Sequence, residues 1–430
     1  MAPSVPLPSR RILRPSVLAL AALLAAFEGY DLACYGASVP SLLADSRIGA
    51  TKSSAGTVGS LVPIGMLLGA ALSAALIRRI GSRRLLISGA SLFSAGMLVC
   101  ATMPTFTLLG AARLLVGVGL GVVLPTVNAY VADLSEPERR GRTIGMMNSG
   151  YAAGALMAPL LAAALLPDVS WRWIYVLGAL PAAVVIPLAV KFLPESPTTP
   201  GTASPLPSST RSGSDLFGLR LLLGPGVRSV TLLFWMVAFC GLLLVFGIST
   251  WLPTIMRTAG YSLGSSLLQT AAMWTGAGVG MVVGGRIADR LGIKPVVGVA
   301  FLTGAVCLIL IPLHPGPALL FPLMFISGMG LISSQALTNT FVVTRYPDAL
   351  RGPAIGWTLA VGRLGAITGP TTGGWVLSSG LAVEWNFYLF AVPGLLGAVL
   401  AALVPLARAE HSAARNVVTT RERPTETGFV

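Results

Sequence analysis

The chain has 430 residues, of which 54% are hydrophobic and only 10% are charged, and its mean hydropathy is +0.81. A soluble protein of this size cannot bury so much apolar surface, so the composition excludes a soluble globular fold. It indicates an all-α polytopic membrane protein, that is, one that crosses the bilayer several times. The net charge of +14 is compatible with nucleic-acid binding, but the positions of the basic residues favour a different explanation.

Hydropathy predicts twelve transmembrane helices in two sets of six. The stretch between the sets is rich in Pro, Ser, Thr and Gly, a composition typical of a linker. We therefore expect an N-terminal six-helix bundle in residues 1–193, a cytoplasmic interdomain loop in 194–227, a C-terminal six-helix bundle in 228–408 and a cytoplasmic tail in 409–430. The predicted spans are 16–42, 55–77, 84–103, 106–132, 143–166, 170–193, 228–256, 262–287, 293–313, 317–344, 352–379 and 384–407.

The basic residues predict the orientation of the chain. If the termini and every second loop lie on one side, that side holds 23 of the 29 Lys and Arg residues, while four lie on the other side and two inside spans. By the positive-inside rule both termini are cytoplasmic. We expect the membrane to be the cell (plasma) membrane. The excess charge then faces anionic lipid of the bilayer, so we expect no nucleic-acid partner. We also expect a monomer.

An internal repeat relates the two halves. A single shift of 211 residues, without gaps, superposes glycines, prolines and basic residues of the first half on identical residues of the second. Two six-helix halves in the same orientation are the arrangement of transporters that rock around a central site. The superposed pairs include Arg79 and Arg290, Gly81 and Gly292, Asn128 and Asn339, Gly154 and Gly365, and Pro159 and Pro370.

Two acids lie inside the first predicted span. Glu28 and Asp31 are three residues apart, so a helix places both carboxylates on one face. A charge at membrane depth costs roughly 3 kcal/mol or more, which normally turns it toward a protein interior or a wet cavity. We interpret both acids as proton-coupling residues. The alternative is that Asp31 caps a broken helix or pairs with a cation purely for assembly.

Two arginines, Arg113 and Arg363, also fall inside predicted spans. A guanidinium is suited to two-pronged binding of a carboxylate, so each is a candidate for holding an anionic substrate. The alternative is that each pairs with Glu28 or Asp31 and holds helices together. The two interpretations are compatible, because a substrate carboxylate can compete for an arginine that an acid otherwise satisfies.

Sequence motifs of enzymes are missing from the chain. It contains no P-loop, no HExxH, no CxxC and no GxSxG in a suitable context. We therefore expect neither an enzyme nor a bound cofactor or metal, and the energy for transport must come from an ion gradient.

The whole chain resembles the major facilitator superfamily. The loop after the eighth predicted span carries Gly285, Asp289, Arg290 and Gly292, which resemble the cytoplasmic G-x-x-x-D-R-x-G motif of that superfamily. The resemblance implies twelve helices in two pseudo-symmetric six-helix bundles. It also implies that these four residues form a conformational gate, where a carboxylate binds helix N-termini or arginines that separate on rocking.

Within the superfamily the chain is similar to the aromatic acid:proton symporter family. That family carries Asp-Gly-Phe/Tyr-Asp in the first span, and this chain has Glu28-Gly29-Tyr30-Asp31. The resemblance implies proton symport of small aromatic carboxylates such as benzoate, hydroxybenzoates or gentisate, with alternating access. The substrate-binding residues it implies are Arg113, Arg363, Tyr30, Gln335, Asn339 and Trp357. Further similar motifs are Trp171-Arg172-Trp173, Pro194-Glu195-Ser196-Pro197 and Trp251-Leu252-Pro253.

Two other functions stay open at this point. The glycine and proline strings that end at Pro159 and Pro370 also occur in proton-coupled drug efflux antiporters. They are compatible with simple close packing of helices, with proline as a bend. A symporter of a non-aromatic organic acid is the other alternative.

Overall fold

The computed structural model describes residues 15–136, 140–166, 168–193, 218–313 and 315–405. In these residues it contains thirteen α-helices, twelve of them at least 18 residues long, and no β-strand. The predicted all-α fold with twelve long helices is confirmed. The helices are α1 (Pro15–Ala44), α2 (Lys52–Ile80), α3 (Ser82–Thr102), α4 (Phe106–Leu134), α5 (Arg140–Leu165), α6 (Arg172–Phe192), the four-residue α7 (Leu219–Leu222), α8 (Arg228–Thr258), α9 (Leu263–Leu291), α10 (Ile293–Leu310), α11 (Pro317–Arg345), α12 (Asp348–Ser378) and α13 (Glu384–Leu403).

Eleven of the described helices are long and apolar enough to cross a membrane. The twelfth long helix, α12, has 31 residues, but Arg363 and its many glycines and threonines lower its apolarity. A helix that faces other helices or a wet cavity tolerates such a composition, because it does not contact lipid on every side.

Helix packing follows the sequence repeat. In the first half α1 packs on α5, α2 on α4, α3 on α4 and α3 on α6. The equivalent helices of the second half make the same contacts: α8 packs on α12, α9 on α11, α10 on α11 and α10 on α13. The halves meet where α2 packs on α12, α5 on α9 and α1 on α8. The repeat relates α2 to α9 and α5 to α12, so the contact of α2 with α12 is equivalent to that of α9 with α5. The pseudo-symmetry therefore extends to the interface.

Glycines allow the main helix pair of each half to pack backbone to backbone. A Cβ at Gly154 of α5 would collide with the carbonyl oxygen of Ala26 on α1. At the equivalent Gly365 of α12, a Cβ would collide with the carbonyl oxygen of Phe239 on α8. Close approach through small residues is how helices associate in a bilayer, where lipid is as apolar as the side chains.

Several predicted features lie outside the described residues. They are the N-terminal stretch 1–14, most of the expected interdomain loop with its Pro194–Pro197 motif, and the tail 409–430. The last part of the expected loop forms α7 and the turn after it. The hydroxyl of Thr231 donates to the carbonyl of Leu222 over 2.9 Å, which fixes this segment to the start of α8.

The two ends of the helix assembly differ. At the end where α1 and α8 finish, which we call the closed end, a Cβ at Gly36 would collide with the Ser249 carbonyl, and a Cβ at Gly56 would lie 2.7 Å from the Pro370 carbonyl. At the opposite end, the open end, no described atom lies within 4 Å of a Cβ built on Gly145, Gly285, Gly352 or Gly356. The halves are therefore in contact at the closed end, and space surrounds these four glycines at the open end.

Asp45, just after α1 at the closed end, ties the first half together. Its carboxylate accepts hydrogen bonds from Trp171 Nε1 and from the backbone N–H of Arg47, each over 3.1 Å. The hydrogen bond from Trp171 is the main reason that the pKa of Asp45 lies below its ordinary value. Arg172 lies over the Trp171 ring at 4.5 Å and donates to the carbonyls of Ala101 and Met103, which explains the Trp-Arg-Trp motif structurally.

The glycine contact between α1 and α5 yields a stability prediction. Gly154→Ala should lower the apparent melting temperature and the yield of monodisperse protein, because overpacking a tight contact costs roughly 1–3 kcal/mol. Gly145→Ala lies in the same helix, where nothing described is within 4 Å, and should leave the melting temperature unchanged or raise it, since Ala is the better helix former. Fluorescence-detected gel filtration after heating measures both variants. Equal melting temperatures for the two would contradict the assigned contact.

Candidate functional site

The two acids of α1 are both buried in the middle of the molecule. Asp31 is 1% exposed and Glu28 is 9% exposed. They lie on one face of α1, as their spacing predicts, and both line a cavity at the centre of the molecule. Their partners differ, and this difference separates their possible roles.

Asp31 forms an ion pair with Arg113 of α4. The guanidinium donates from Nη1 to Asp31 Oδ1, and the Arg113 side chain is only 2% exposed. Asp31 Oδ2 and Arg113 Nε have no hydrogen-bond partner in the residues that the structure describes. Both residues belong to the first half, so the pair stays inside one bundle. Internal pairing of Arg113 with an acid, one of the two interpretations of the sequence, is what the structure contains.

Arg113 has a second partner in the ring of Tyr35. Its guanidinium carbon lies 4.8 Å from the ring centroid, a cation–π distance. Tyr35 follows Asp31 by one helical turn on α1, so the acid and the ring hold the guanidinium together.

Glu28 lies where the two halves meet. Within the described part of the chain its Oε2 has no hydrogen-bond partner. The charges and polar groups that act on it are Arg363 of α12, Asp31 and the hydroxyl of Tyr151 on α5. Among the described residues Arg363 forms no ion pair or hydrogen bond, and it is partly exposed. An acid of one half is therefore within electrostatic reach of an arginine of the other half, and the two are not closed into a salt bridge.

The central cavity is lined from both halves. Most of its wall comes from α1, α2, α4 and α5, and α8 supplies the remainder. The open space is close to that of a single water molecule, so binding of a ring-sized ligand requires the halves or side chains to move apart. The lining residues are Glu28, Asp31, Leu32, Tyr35, Gly59, Val62, Met66, Arg113, Leu120, Tyr151, Phe246 and Thr250.

Three of these lining residues have aromatic rings: Tyr35, Tyr151 and Phe246. Tyr151 also reaches the second half, where its ring packs edge to face on Trp274 of α9 with centroids 6.2 Å apart. Phe246 and Thr250 are missing from the residues inferred from the sequence. Phe246 and Thr250 precede Trp251 by five residues and one residue, and this closeness to the Trp251-Leu252-Pro253 motif is the signal that could have indicated them.

Tyr30, expected to bind substrate, points to a different partner. Its hydroxyl donates to the carbonyl of Ile174 over 2.8 Å, and its ring contacts the position of Gly178 on α6. It is not among the residues that line the cavity. In this arrangement Tyr30 packs α1 against α6 inside the first half.

The other expected substrate residues lie in the second half. Gln335 and Asn339 on α11 are one turn apart, with Gln335 Nε2 donating to Asn339 Oδ1 over 3.4 Å. Gln335 Oε1 is buried without a partner, close to Gly241 of α8. Trp357 of α12 is half-buried and packs on Trp235, with ring centroids 6.1 Å apart. None of the three lines the cavity as it stands.

The expected gate residues lie at the open end. Asp289 and Arg290 are exposed at the end of α9, and Gly292 separates α9 from α10 with a φ of +85°. Gly81, the counterpart of Gly292 in the repeat, has a φ of +79° between α2 and α3. Both turns need the left-handed backbone that glycine adopts without strain. Asp289 has no ion pair within the described part of the chain.

Comparison with known proteins adds independent evidence. The sequence pattern of the Major Facilitator Superfamily matches residues 21–370, and matches again over residues 263–427. A gentisate transporter of Corynebacterium glutamicum is 33% identical over 378 residues, 87% of this chain and 83% of that protein. A benzoate transport protein of Acinetobacter baylyi is 29% identical over 417 residues, 90% of this chain and 89% of that protein.

Solved structures agree on the fold. The crystal structure of a D-xylose-proton symporter superposes with a TM-score of 0.77 at 21% identity, and the match covers 91% of this chain and 98% of that one. At this identity the likeness concerns the fold alone. Two matches of one family pattern also agree with the internal repeat. The chain is a membrane transporter, not an enzyme, and it belongs to the major facilitator superfamily, within the family that contains the aromatic acid transporters.

Proposed function

We propose that this protein imports small aromatic carboxylates, of the benzoate, hydroxybenzoate or gentisate type, together with protons across the cell (plasma) membrane. The observation that carries the proposal is the pairing of charges across the halves. Glu28 of the first half interacts electrostatically with Arg363 of the second, and Glu28 Oε2 has no hydrogen-bond partner among the described residues. The relatives that transport gentisate and benzoate support the choice of substrate.

Proton and substrate act on the same charges. When Glu28 takes up a proton, Arg363 loses its nearest counter-charge and becomes available to the carboxylate of the substrate. The loaded site then carries no more net charge than the empty one, which lowers the cost of closing both halves around it. Arg363 is the better candidate for the carboxylate, because Arg113 is already paired with Asp31.

The cavity walls fit the remainder of the substrate. Tyr35, Tyr151 and Phe246 offer ring faces and edges to an aromatic ring, and Leu32, Val62, Met66 and Leu120 offer apolar surface. Trp357, Gln335 and Asn339 would join this wall when the second half rotates toward the first. With the termini in the cytoplasm, as the basic residues indicate, the open end is cytoplasmic, and the exposed Asp289–Arg290 motif is positioned to close it.

The first test is transport itself. Cells that express the protein should accumulate radiolabelled gentisate, benzoate or 4-hydroxybenzoate, and a protonophore should abolish accumulation while removal of sodium has no effect. Tolerance of a drug-sensitive host to lipophilic cations should not change. Sodium-dependent uptake that ignores pH would refute proton symport. Raised drug tolerance without acid uptake would establish the efflux alternative instead.

A second test separates the two acids. Glu28→Gln should fold normally and lose proton-driven accumulation, while exchange of internal for external substrate persists, because exchange moves no net proton. Asp31→Asn should instead lower the amount of folded protein, since a buried arginine without its acid costs about 3–5 kcal/mol. Accumulation is measured per correctly inserted molecule. Full accumulation by Glu28→Gln would remove this acid from the coupling mechanism.

A third test applies one substitution to both arginines. Lysine keeps the charge but loses the two-pronged geometry. Arg363→Lys should raise KM by about tenfold or more, as expected for loss of a charge-assisted hydrogen bond worth about 1.5–3 kcal/mol. Arg113→Lys is the matched control, because its charge serves Asp31, and it should leave KM within about twofold. The opposite ranking of the two KM values would assign the substrate carboxylate to Arg113.

A further inference from the structure

Tyr35 connects the buried ion pair to the closed end of the molecule. Its ring holds the Arg113 guanidinium at 4.8 Å, and its hydroxyl donates to the carbonyl of Ala55 near the start of α2 over 2.6 Å. Tyr35 itself is 2% exposed. A single side chain thus contacts the charge pair with one part and the backbone of the neighbouring helix with another.

The part of α2 that Tyr35 holds is the part that contacts the second half. Gly56 and Gly59 follow Ala55, and a Cβ at Gly59 would lie 3.1 Å from the Tyr35 ring and 2.9 Å from Pro370 of α12. One residue later, the hydroxyls of Ser60 and Thr371 hydrogen-bond over 2.7 Å. We call this contact between α2 and α12 the seal.

The charge pair and the seal are therefore two contacts apart. Protonation of Asp31 removes the ionic partner of Arg113, and the guanidinium must then find other acceptors or shift against the Tyr35 ring. A shift of the Tyr35 ring changes the hydrogen bond to Ala55 directly, because the ring and the hydroxyl that donates this bond form one rigid group. The other titratable or charged groups that face this site are Glu28 and Cys34 on α1, Cys100 on α3 and Tyr175 on α6.

We propose that Tyr35 is a positioning residue that transmits the ionisation state of the Asp31–Arg113 pair to the seal, so that protonation of Asp31 loosens the closed end. This goes beyond the proposed function, which assigns the transported proton to Glu28, by taking Asp31 as a second residue that binds a proton. Glu28 provides the charge that faces the other half, and Tyr35 links the second acid to the contact that must open.

The experiment follows opening of the closed end without any substrate. Ser249 lies at this end against Gly36 and is 1% exposed, so Ser249→Cys reports opening through its reaction with a maleimide. Purified protein in detergent is labelled between about pH 5 and about pH 8, and rates are normalised to those of the unfolded protein at each pH. The protein with only its four buried native cysteines supplies the background.

Acidification should raise the labelling rate of Ser249→Cys by about fivefold or more, the change expected of a modest shift in a two-state equilibrium. Tyr35→Phe keeps the ring on Arg113 but loses the hydrogen bond to Ala55, and it should reduce this pH response to about twofold or less. Tyr346→Phe is the matched control, since it removes a buried tyrosine hydroxyl bonded to Thr231 over 2.7 Å in the second half, and it should keep the full response. Asp31→Asn should label equally at all pH values.

Three results would overturn the inference. They are a parent protein without a pH response, a Tyr35→Phe variant that responds like its parent, and a Tyr346→Phe variant that loses the response equally. The proposed function fails in a different assay. Cells that do not accumulate aromatic acids would contradict the proposed function, whereas the three labelling results contradict only this inference. If Asp31→Asn does not fold, the comparison of Tyr35→Phe with Tyr346→Phe alone decides the outcome.

Discussion

The arrangement of this transporter depends on the requirement that a charge buried in a membrane protein has an opposite charge to balance it. The chain has two acids one turn apart on α1, and their charges are balanced in two different ways. Asp31 is satisfied within its own half by Arg113, so this pair moves as a unit. Glu28 is balanced from across the interface by Arg363 without a closed ion pair, so its environment changes whenever the halves move.

The glycine contacts within each half and the hydrogen bonds between the halves differ in how easily they can be broken. Backbone-to-backbone packing at Gly154 and Gly365 makes each half a tight unit. Contacts between the halves also include side-chain hydrogen bonds: the hydroxyls of Ser60 and Thr371 bond over 2.7 Å, and Ser60 is also bonded to the carbonyl of Ile367. A few hydrogen bonds can be exchanged at modest cost, whereas a closely packed helix pair loses all of its van der Waals contact when it separates.

Sequence reasoning recovered the architecture well and the site only in part. Twelve long helices, the repeat and the burial of Glu28, Asp31 and Arg113 follow from hydropathy, spacing and the cost of charge in a bilayer. Tyr30 lies next to the acids in the sequence but points to α6 and the carbonyl of Ile174. Phe246 and Thr250 line the cavity from a helix that carries no charged residue near them, so charge did not indicate them and only their closeness to the Trp251 motif could have.

The sequence alone determined which charged residues lie inside spans and must avoid contact with lipid, because hydropathy and charge are properties of each residue in its span. It also determined the two-fold relation of the halves, because a gapless shift aligns their glycines and prolines. Only the tertiary structure decided which arginine balances which acid. That choice depends on the rotation and packing of α4 and α12 against α1, which the close contacts of distant glycines govern, and periodicity along one helix carries no information about its neighbour.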